Sequence, residues 1–466
     1  MTDEQAPARS LLEIPSLPNL PLIASLPWIH HREGFMARML ELAEQHRNIG
    51  MFRVPLPGNH SPIFIGNVSL AAETMDESKY EKVLDGPLVP IRDFAGDGLF
   101  TAHSDEPNWH RAHRILSPGF STTSLEHYYP AMTRSLEALL MHWRRATAPV
   151  DVVLDMTKLT LDTISLAGFD YHFDSFSRPT LHPFLQSLAR ALQETIDVLR
   201  RPPFLERLYR SHRARYQQDI ASMFALVDTV IQERKQKPKE SWPRDFLSLM
   251  LEEADPKSGE KLSDENIRFQ ILTFLIAGHE TTAGLLAFTL HQLARDRELF
   301  LRLRSEVDQA IPRDLPTMKQ VLELDLVRRT LSEALRLWPT VPVVTRAPKE
   351  DTMLGAFRVP KGQPFGLLLH ALHRDPAVWQ HPARFDPDRF LPESVKARTA
   401  AAYKPFGVGK RSCTGKHFAL IESALCLAML VREFEFDDPG PLVNMPTLSP
   451  KPKGFRLGLH RRTGTR

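Results

Sequence analysis

Directly after Ser263, Asp264 and Glu265 the chain reads NIRFQILTFLIAGHETTAGLLAFTLHQLA, the segment that most restricts how the rest can fold. Ser263 and the two acids make a helix start. The helix they begin is apolar nearly all round, so it has to lie inside the protein with the remaining chain packed about it. In its middle sits a polar island, Gly278, His279, Glu280, Thr281 and Thr282. Burying an acid and two hydroxyls costs several kcal/mol, roughly, unless each is hydrogen-bonded. One reading is purely structural: Thr281 bonds back to the carbonyl of Ala277 and kinks the helix. The other is chemical, because a hydroxyl beside an acid can give up a proton and be resupplied with one.

A second stretch, KPFGVGKRSCTGKHFAL over Lys404–Leu420, holds Cys413, one of two cysteines in the chain. Gly407 and Gly409 before it and Gly415 after it let the backbone turn tightly and approach a flat ligand. Phe406 supplies an apolar wall, Arg411 a cation two residues from the thiol, and HFALIESALCLAML reads as a buried helix. A lone cysteine is ordinarily a small buried hydrophobe, and Cys426, with no glycine or cation arranged beside it, keeps that reading. Cys413 is set differently. An apolar loop that aims N–H donors and a helix N-terminus at one sulfur stabilises a thiolate bound to iron, the axial ligand of a haem.

With the pattern Phe-x-x-Gly-x-Arg-x-Cys-x-Gly around Cys413, and with Ala277–Thr282 matching Ala-Gly-x-Glu-Thr-Thr, the chain resembles the cytochrome P450 family, the haem-thiolate monooxygenases. The resemblance covers nearly the whole chain and is nearest to the haem domain of self-sufficient bacterial fatty-acid hydroxylases. RDFAGDGLF at 92–100, NWHRAHRILSPGFS at 108–121, the helix from Asp264 and EALRLWPT at 333–340 carry it. It implies a mainly α fold with minor β, haem b between the long central helix and the cysteine loop, and Cys413 as the metal ligand. Glu280 and Thr281 would be the catalytic acid and alcohol supplying the protons that splitting O2 consumes. Trp109 and His113, four apart on one helix face, match a propionate clamp that Arg411 and Arg346 join, while Phe406, Gly409 and Gly415 shape the cofactor side of the loop. Leu88, Ile91, Ala277, Val341 and Leu448 would line an apolar substrate pocket, with Phe100 over the haem. Glu333 and Arg336, joined by Arg389 of FDPDRF, would form a buried network holding the cysteine loop. Arg111, Arg114, Lys404, Lys410 and Lys416 would make a basic rim for an acidic redox partner of the flavodoxin or ferredoxin kind.

There are two departures from those hydroxylases. The positions matching their Arg and Tyr carboxylate anchor hold Asn59 and Ile63, so fatty acids are expected to bind without that anchor. The chain also contains no flavin-binding sequence. Electrons from NAD(P)H are therefore expected through a reductase, either fused in a longer protein or separate.

Composition excludes little but agrees. The 466 residues are read as one haem domain, 1–466, with no reductase domain, no internal repeat and no low-complexity tract. A net charge of +3 gives no global field for nucleic acid. Two cysteines, one assigned to metal, leave no disulfide and fit a reducing compartment. LLEIPSLPNLPLIASLPW at 11–28 is apolar, but Glu13 and four prolines break a spanning helix, so a cytoplasmic enzyme without a membrane anchor is expected. Helix is expected at 35–48 and through most of 105–335, a strand pair at 51–66, a solvated loop at 232–245, and small β elements with an irregular meander after 339. The expected activity is insertion of one oxygen atom of O2 into a C–H or C=C bond of a hydrophobic substrate, a fatty acid or similar. A peroxygenase of the same fold is the alternative, but it typically lacks the Glu-Thr pair. A haem-based sensor is the other, but an acid beside bound oxygen promotes its loss as peroxide.

Overall fold

Long helices with a few short strands make up the chain in the computed structural model, which describes residues 8–16, 35–55, 61–178, 180–201, 208–311, 315–445 and 448–462. Asn59 and the part of the proline-containing lead-in from 17 to 28 lie outside the described residues. Strands β1 (Met51–Arg53) and β2 (Ile63–Ile65) form the expected pair, antiparallel with Met51 opposite Ile65. They are followed by β3 (Tyr80–Lys82) and helices α1 (Leu88–Ala95), α2 (Pro107–Leu116), α3 (Thr122–Arg144) and α4 (Val152–Phe169). The central helix is α5 (Asp264–Arg295), and α6 (Asp325–Leu337) leads into β4 (Val343–Pro348) and β5 (Phe365–Leu368). Last come α7 (Lys416–Glu433) and a hairpin of β6 (Asn444–Met445) and β7 (Lys451–Pro452). The larger sheet runs β1-β2-β5-β4-β3, with β2 and β5 parallel and the other neighbours antiparallel. This is the mainly α fold with minor β that the sequence suggests.

Ser263 caps α5 as expected, its hydroxyl accepting the Asn266 N–H. α5 is long and apolar enough to cross a membrane, yet most of its apolar stretch is buried inside the protein. Its main partner is α4. Gly278 makes the approach close: a Cβ there would stand 2.9 Å from Cγ1 of Ile164 on α4. At the same level the Thr160 hydroxyl of α4 donates to the His279 carbonyl at 2.9 Å, so part of the polar island is satisfied from outside its own helix. The solvated loop is shorter than expected. The helix Arg210–Gln236 runs into it, because Arg234 is buried and donates to Asp245 at 2.7 and 2.8 Å and to the Phe169 carbonyl at 3.1 Å.

α6 holds the network that braces the cysteine loop. Glu333 and Arg336 are both fully buried, and Arg336 Nε and Nη2 donate to the Glu333 carboxylate at 2.7 Å. The remaining Arg336 donors go to the carbonyls of His373, Pro382 and Arg384 at 2.9, 2.7 and 3.0 Å. Glu333 also accepts the Asp386 N–H at 2.8 Å, and Arg389 Nε lies 3.5 Å from it. His373 then passes the constraint on, its Nε2 accepting the N–H of Lys404 at the start of the cysteine loop at 3.0 Å. Burial pushes the Glu333 carboxyl up, against Arg336, which favours its charged form. Removing one partner of such a buried pair costs about 3–5 kcal/mol, because the other charge is left uncompensated. Glu333→Ala is thus expected to give aggregated or haem-free protein, read from soluble yield and the Soret-to-protein absorbance ratio; haem-loaded enzyme at wild-type yield would refute the bracing role.

Candidate active site

The cysteine loop is a tight turn closed on itself. Cys413 N–H donates to the Phe406 carbonyl at 2.8 Å, Gly407 N–H to Lys404 at 3.0 Å and Ser412 N–H to Gly409 at 3.0 Å. Gly407 and Gly409 take φ values of +79° and +63°, the left-handed region in which a side chain is strained. A Cβ on Gly409 would also run into the Glu77 carboxylate, which accepts the Lys410 N–H at 2.8 Å. Gly415 caps α7, and its N–H donates to the Cys413 sulfur. Donor, helix N-terminus and sulfur are therefore arranged as the sequence suggests. Cys413 has exposed surface, yet burial pushes its thiol pKa up, with Lys416 opposing. That combination describes a sulfur facing an enclosed interior space. Phe406 packs half-buried against the main core, with Lys416 Nζ 5.7 Å from its ring centre.

Beside the loop a cationic edge is assembled from distant parts of the chain. The Trp109 and His113 rings on α2 lie 4.9 Å apart, and the Arg411 guanidinium stands 4.5 Å over the Trp109 ring. Arg411 Nη2 donates to the Ala102 carbonyl at 2.7 Å, while its Nη1 is buried without a partner among the described residues. Lys82 on β3, which the sequence did not single out, joins this edge. Its Nζ donates to the Phe100 carbonyl at 2.6 Å and lies 5.3 Å from the Phe100 ring. Burial first, and Arg411 second, lower the Lys82 pKa to about 7, and burial takes Arg411 to about 10. His113 is lowered too, by burial and then Arg411. Buried cations pressed together and one guanidinium nitrogen unsatisfied are costly unless an anion joins them. The propionates of a haem whose iron meets Cys413 fit this donor set. Arg346 sits across from Lys82 on β4, but two of its nitrogens donate to the Thr74 and Tyr80 carbonyls at 3.1 and 3.0 Å, so it largely ties β3 and β4 to the backbone.

On the opposite side, Thr281 Oγ1 donates to the Ala277 carbonyl at 2.9 Å, the bond the structural reading of the island requires. Ala277 is exposed and Thr281 partly so, on a helix otherwise buried, and α5 packs on α7. Glu280 is not free beside Thr281. Its Oε1 accepts from Lys451 Nζ at 2.7 Å and lies 3.6 Å from His279 Nε2. Burial raises its pKa, but Lys451 and His279 outweigh that and the net shift is downward. Of the remaining pocket residues, Leu88, Phe100 and Leu448 are half-buried against the core and Val341 is 38% exposed. Ile91 is wholly buried among core side chains, behind the wall. Two cations of the expected docking rim have partners within the chain: Arg114 binds Asp255 through two nitrogens at 2.5 and 2.7 Å, and Arg111 binds Asn108 at 2.6 Å and Glu260.

The family model described as Cytochrome P450 matches residues 14–459. A bifunctional cytochrome P450/NADPH–P450 reductase of Bacillus cereus is 44% identical over 402 residues, 85% of this chain and 38% of that protein. The corresponding reductase 1 of Bacillus subtilis is 40% identical over 96% of this chain and 41% of its own length. A self-sufficient cytochrome P450 monooxygenase of Exserohilum turcicum is 36% identical, over 97% of this chain and 42% of its own length. The chain thus spans roughly two-fifths of the curated relatives it matches, at 38%, 41% and 42%. Among solved structures, the cytochrome P450DA heme domain superposes with a TM-score of 0.92 at 42% identity, covering 98% of both chains.

The cationic edge makes a testable demand on haem uptake. With Lys82 at about 7 in the haem-free protein, a bound propionate raises that value, so binding takes up a proton above about pH 7. Above about pH 7 that uptake offsets the proton the Cys413 thiol releases on binding iron, so haem affinity should rise less steeply with pH there in the wild type than in Lys82→Met. Absorbance titrations at several pH values measure this, and equal slopes in the two proteins would remove Lys82 from the site.

Proposed function

Because the chain belongs to the cytochrome P450 family, we propose that it is the haem domain of a monooxygenase that inserts one oxygen atom of O2 into a C–H or C=C bond of a hydrophobic substrate. The observation that carries this reading is the Cys413 sulfur, accessible yet enclosed, with the Gly415 N–H and the α7 N-terminus aimed at it. Haem b, when bound, supplies the oxygen and one-electron chemistry. The chain's own residues do the rest. Cys413 would hold the iron, while Lys82, Trp109, His113 and Arg411 would hold the propionate edge and fix the ring in its plane. Thr281 keeps its hydroxyl on the wall of the site by its bond to Ala277, and Glu280 is the nearest acid in sequence to resupply it. Ala277, Leu88, Phe100, Val341 and Leu448 offer apolar area to a substrate and exclude water from around it.

A fatty acid or a similar long hydrophobic molecule is the substrate class we favour. Ile63 is wholly buried in β2 and presents no group to a carboxylate, which supports a neutral chain at least as well as an acid. Electrons are assigned to NAD(P)H through a reductase, since the Bacillus relatives carry an NADPH–P450 reductase in the same chain. Two cysteines and the buried position of α5 support a soluble, cytoplasmic protein, and the Bacillus relatives support a bacterial one. The Glu280–Thr281 pair favours O2 with electrons over direct use of hydrogen peroxide.

The test is spectroscopic first. Reduced under carbon monoxide, the haem-loaded protein should show the red-shifted Soret band of a thiolate-ligated ferrous haem, and Cys413→Ser should lose it. With a surrogate reductase, Thr281→Ala should retain that band while product per NADPH consumed falls about tenfold or more and hydrogen peroxide rises. Unchanged product per NADPH would remove Thr281 from proton delivery.

A further inference from the structure

The strip from Gly96 to Ala102, which carries Phe100, is held on two sides by unlike means. Toward the cationic edge its carbonyls accept from charged side chains: Phe100 from Lys82 at 2.6 Å, Thr101 from Arg92 at 2.8 Å and Ala102 from Arg411 at 2.7 Å. Lys82 and Arg411 are also the cations proposed to meet the propionates, so this side is shared with the cofactor. Toward α5 the hold runs through buried, neutral amides. Leu99 N–H donates to Gln270 Oε1 at 3.0 Å, Gln270 Nε2 donates to Asn266 Oδ1 at 3.0 Å, and Asn266 Nδ2 donates to Asp97 at 2.7 Å. Gln270 is 0% and Asn266 2% exposed. Asn108 on α2 completes the series, donating to Asp97 at 2.6 Å. The N–H groups of Thr101 and Ala102 turn back to the Gly98 carbonyl at 3.1 and 2.9 Å, so they stiffen the strip without placing it. Gly98 lets the strip lie directly on α5: a Cβ there would stand 2.9 Å from the Phe269 carbonyl and run into the Thr273 hydroxyl.

We propose that Gln270 is a specificity-determining positioning residue: by accepting the Leu99 N–H it sets where the Phe100 ring stands in the pocket, and so which carbon of a long substrate is presented for oxidation. Phe100 follows Leu99 directly and packs half-buried against the core, so a shift of the Leu99 backbone carries the ring with it. Gln270 lies two turns before Ala277 on the same face of α5. The ring is therefore placed relative to the helix that forms the pocket wall and carries Thr281, and not by the cofactor edge alone. An uncharged amide suits this task, because it needs no counter-charge and its bond is unaffected when Lys82 and Arg411 turn toward a bound anion. Gln270 touches no reacting atom. The inference rests on the monooxygenase reading above and assigns the position of attack within it.

The experiment uses the haem-loaded protein with a surrogate reductase, dodecanol and dodecanoic acid as probes, and two readouts: amide hydrogen exchange at Leu99 and the positions of oxygen along the product chains. In the wild type the Leu99 amide should exchange slowly. Gln270→Met fills a similar volume without an acceptor. Exchange at Leu99 should then quicken about tenfold or more, and the ratio of the main positional product to its neighbours should fall about threefold or more, with the carbon monoxide band unchanged. Gln270→Glu, kept protonated by burial, retains an acceptor for Leu99 and a donor for Asn266, and should bring both readouts back near the wild-type values. A merely structural residue would alter yield or thermal stability and leave the product positions alone. Identical exchange, or identical product positions, in the wild type and Gln270→Met would overturn the anchor in a working monooxygenase. Where Gln270→Met does not take up haem, Gly98→Ala keeps Gln270 and lifts the strip off the Phe269 carbonyl. It should broaden the product positions likewise, and an unchanged distribution there overturns the anchor equally. A wild type with no thiolate spectrum, or with no product from either probe, instead overturns the monooxygenase reading for such substrates, and the selectivity role falls with it.

Discussion

Burial works against a sulfur anion beneath a protein surface, and the arrangement of this chain answers that constraint. Around Cys413 the backbone supplies what a loop can supply: an N–H from Gly415, the N-terminus of α7 and a nearby Lys416. These do not outweigh the burial, which pushes the thiol up. The positive charge of a metal, as proposed for Cys413, would complete a thiolate here, and its binding would release a proton. The loop is prepared in shape while its electrostatics wait for the cofactor. Such a loop has to be held stiffly, and the route by which it is held runs from Glu333 and Arg336 on α6, through the His373 carbonyl and ring, to the Lys404 N–H.

The same accounting of charge separates the two sides of the site. On the α5 side the buried Glu280 has its counter-charge inside the chain, in Lys451. At the edge formed by Lys82, Arg411 and His113 the balance fails. Burial first, and then Arg411, lower the pKa values of Lys82 and His113, and one Arg411 nitrogen has no partner among the described residues, although Glu106 favours the Arg411 charge. A folded chain does not keep such an imbalance for its own stability. The imbalance supports, independently of the cysteine motif, the proposal that a ligand brings negative charge to this edge.

What was legible in the sequence was local. The cap at Ser263, the four-residue spacing of Trp109 and His113, the three-residue spacing of Glu333 and Arg336 and the glycines about Cys413 all act within a turn or two of backbone, so their spacing states their geometry. Long-range partners were legible only through the resemblance, as for Arg389 with Glu333. Lys82 belongs to a three-residue strand with no periodicity to betray which face it uses. Arg111 and Arg114 read as a docking rim because nothing nearby claims them, yet their carboxylates lie 149 and 141 residues further along, in the turn before α5. Arg346 read as a haem clamp by pattern, but the sheet brings the Thr74 and Tyr80 carbonyls within its reach.

The structural and chemical readings of the polar island do not exclude each other. The structural account required Thr281 to bond back to Ala277, and it does. That bond satisfies the donor and costs nothing in chemistry, because the oxygen retains lone pairs to accept a proton while its own is passed on. The acid next to it is likewise satisfied, by an ammonium 171 residues away rather than by its helix. Burial thus gives Thr281 and Glu280 a resting partner each, and the role proposed for them would need partners that can be exchanged. A bond to a backbone carbonyl of the same helix and an ion pair to a separate two-strand hairpin meet both demands, whereas a partner fixed in α4 would have met only the first.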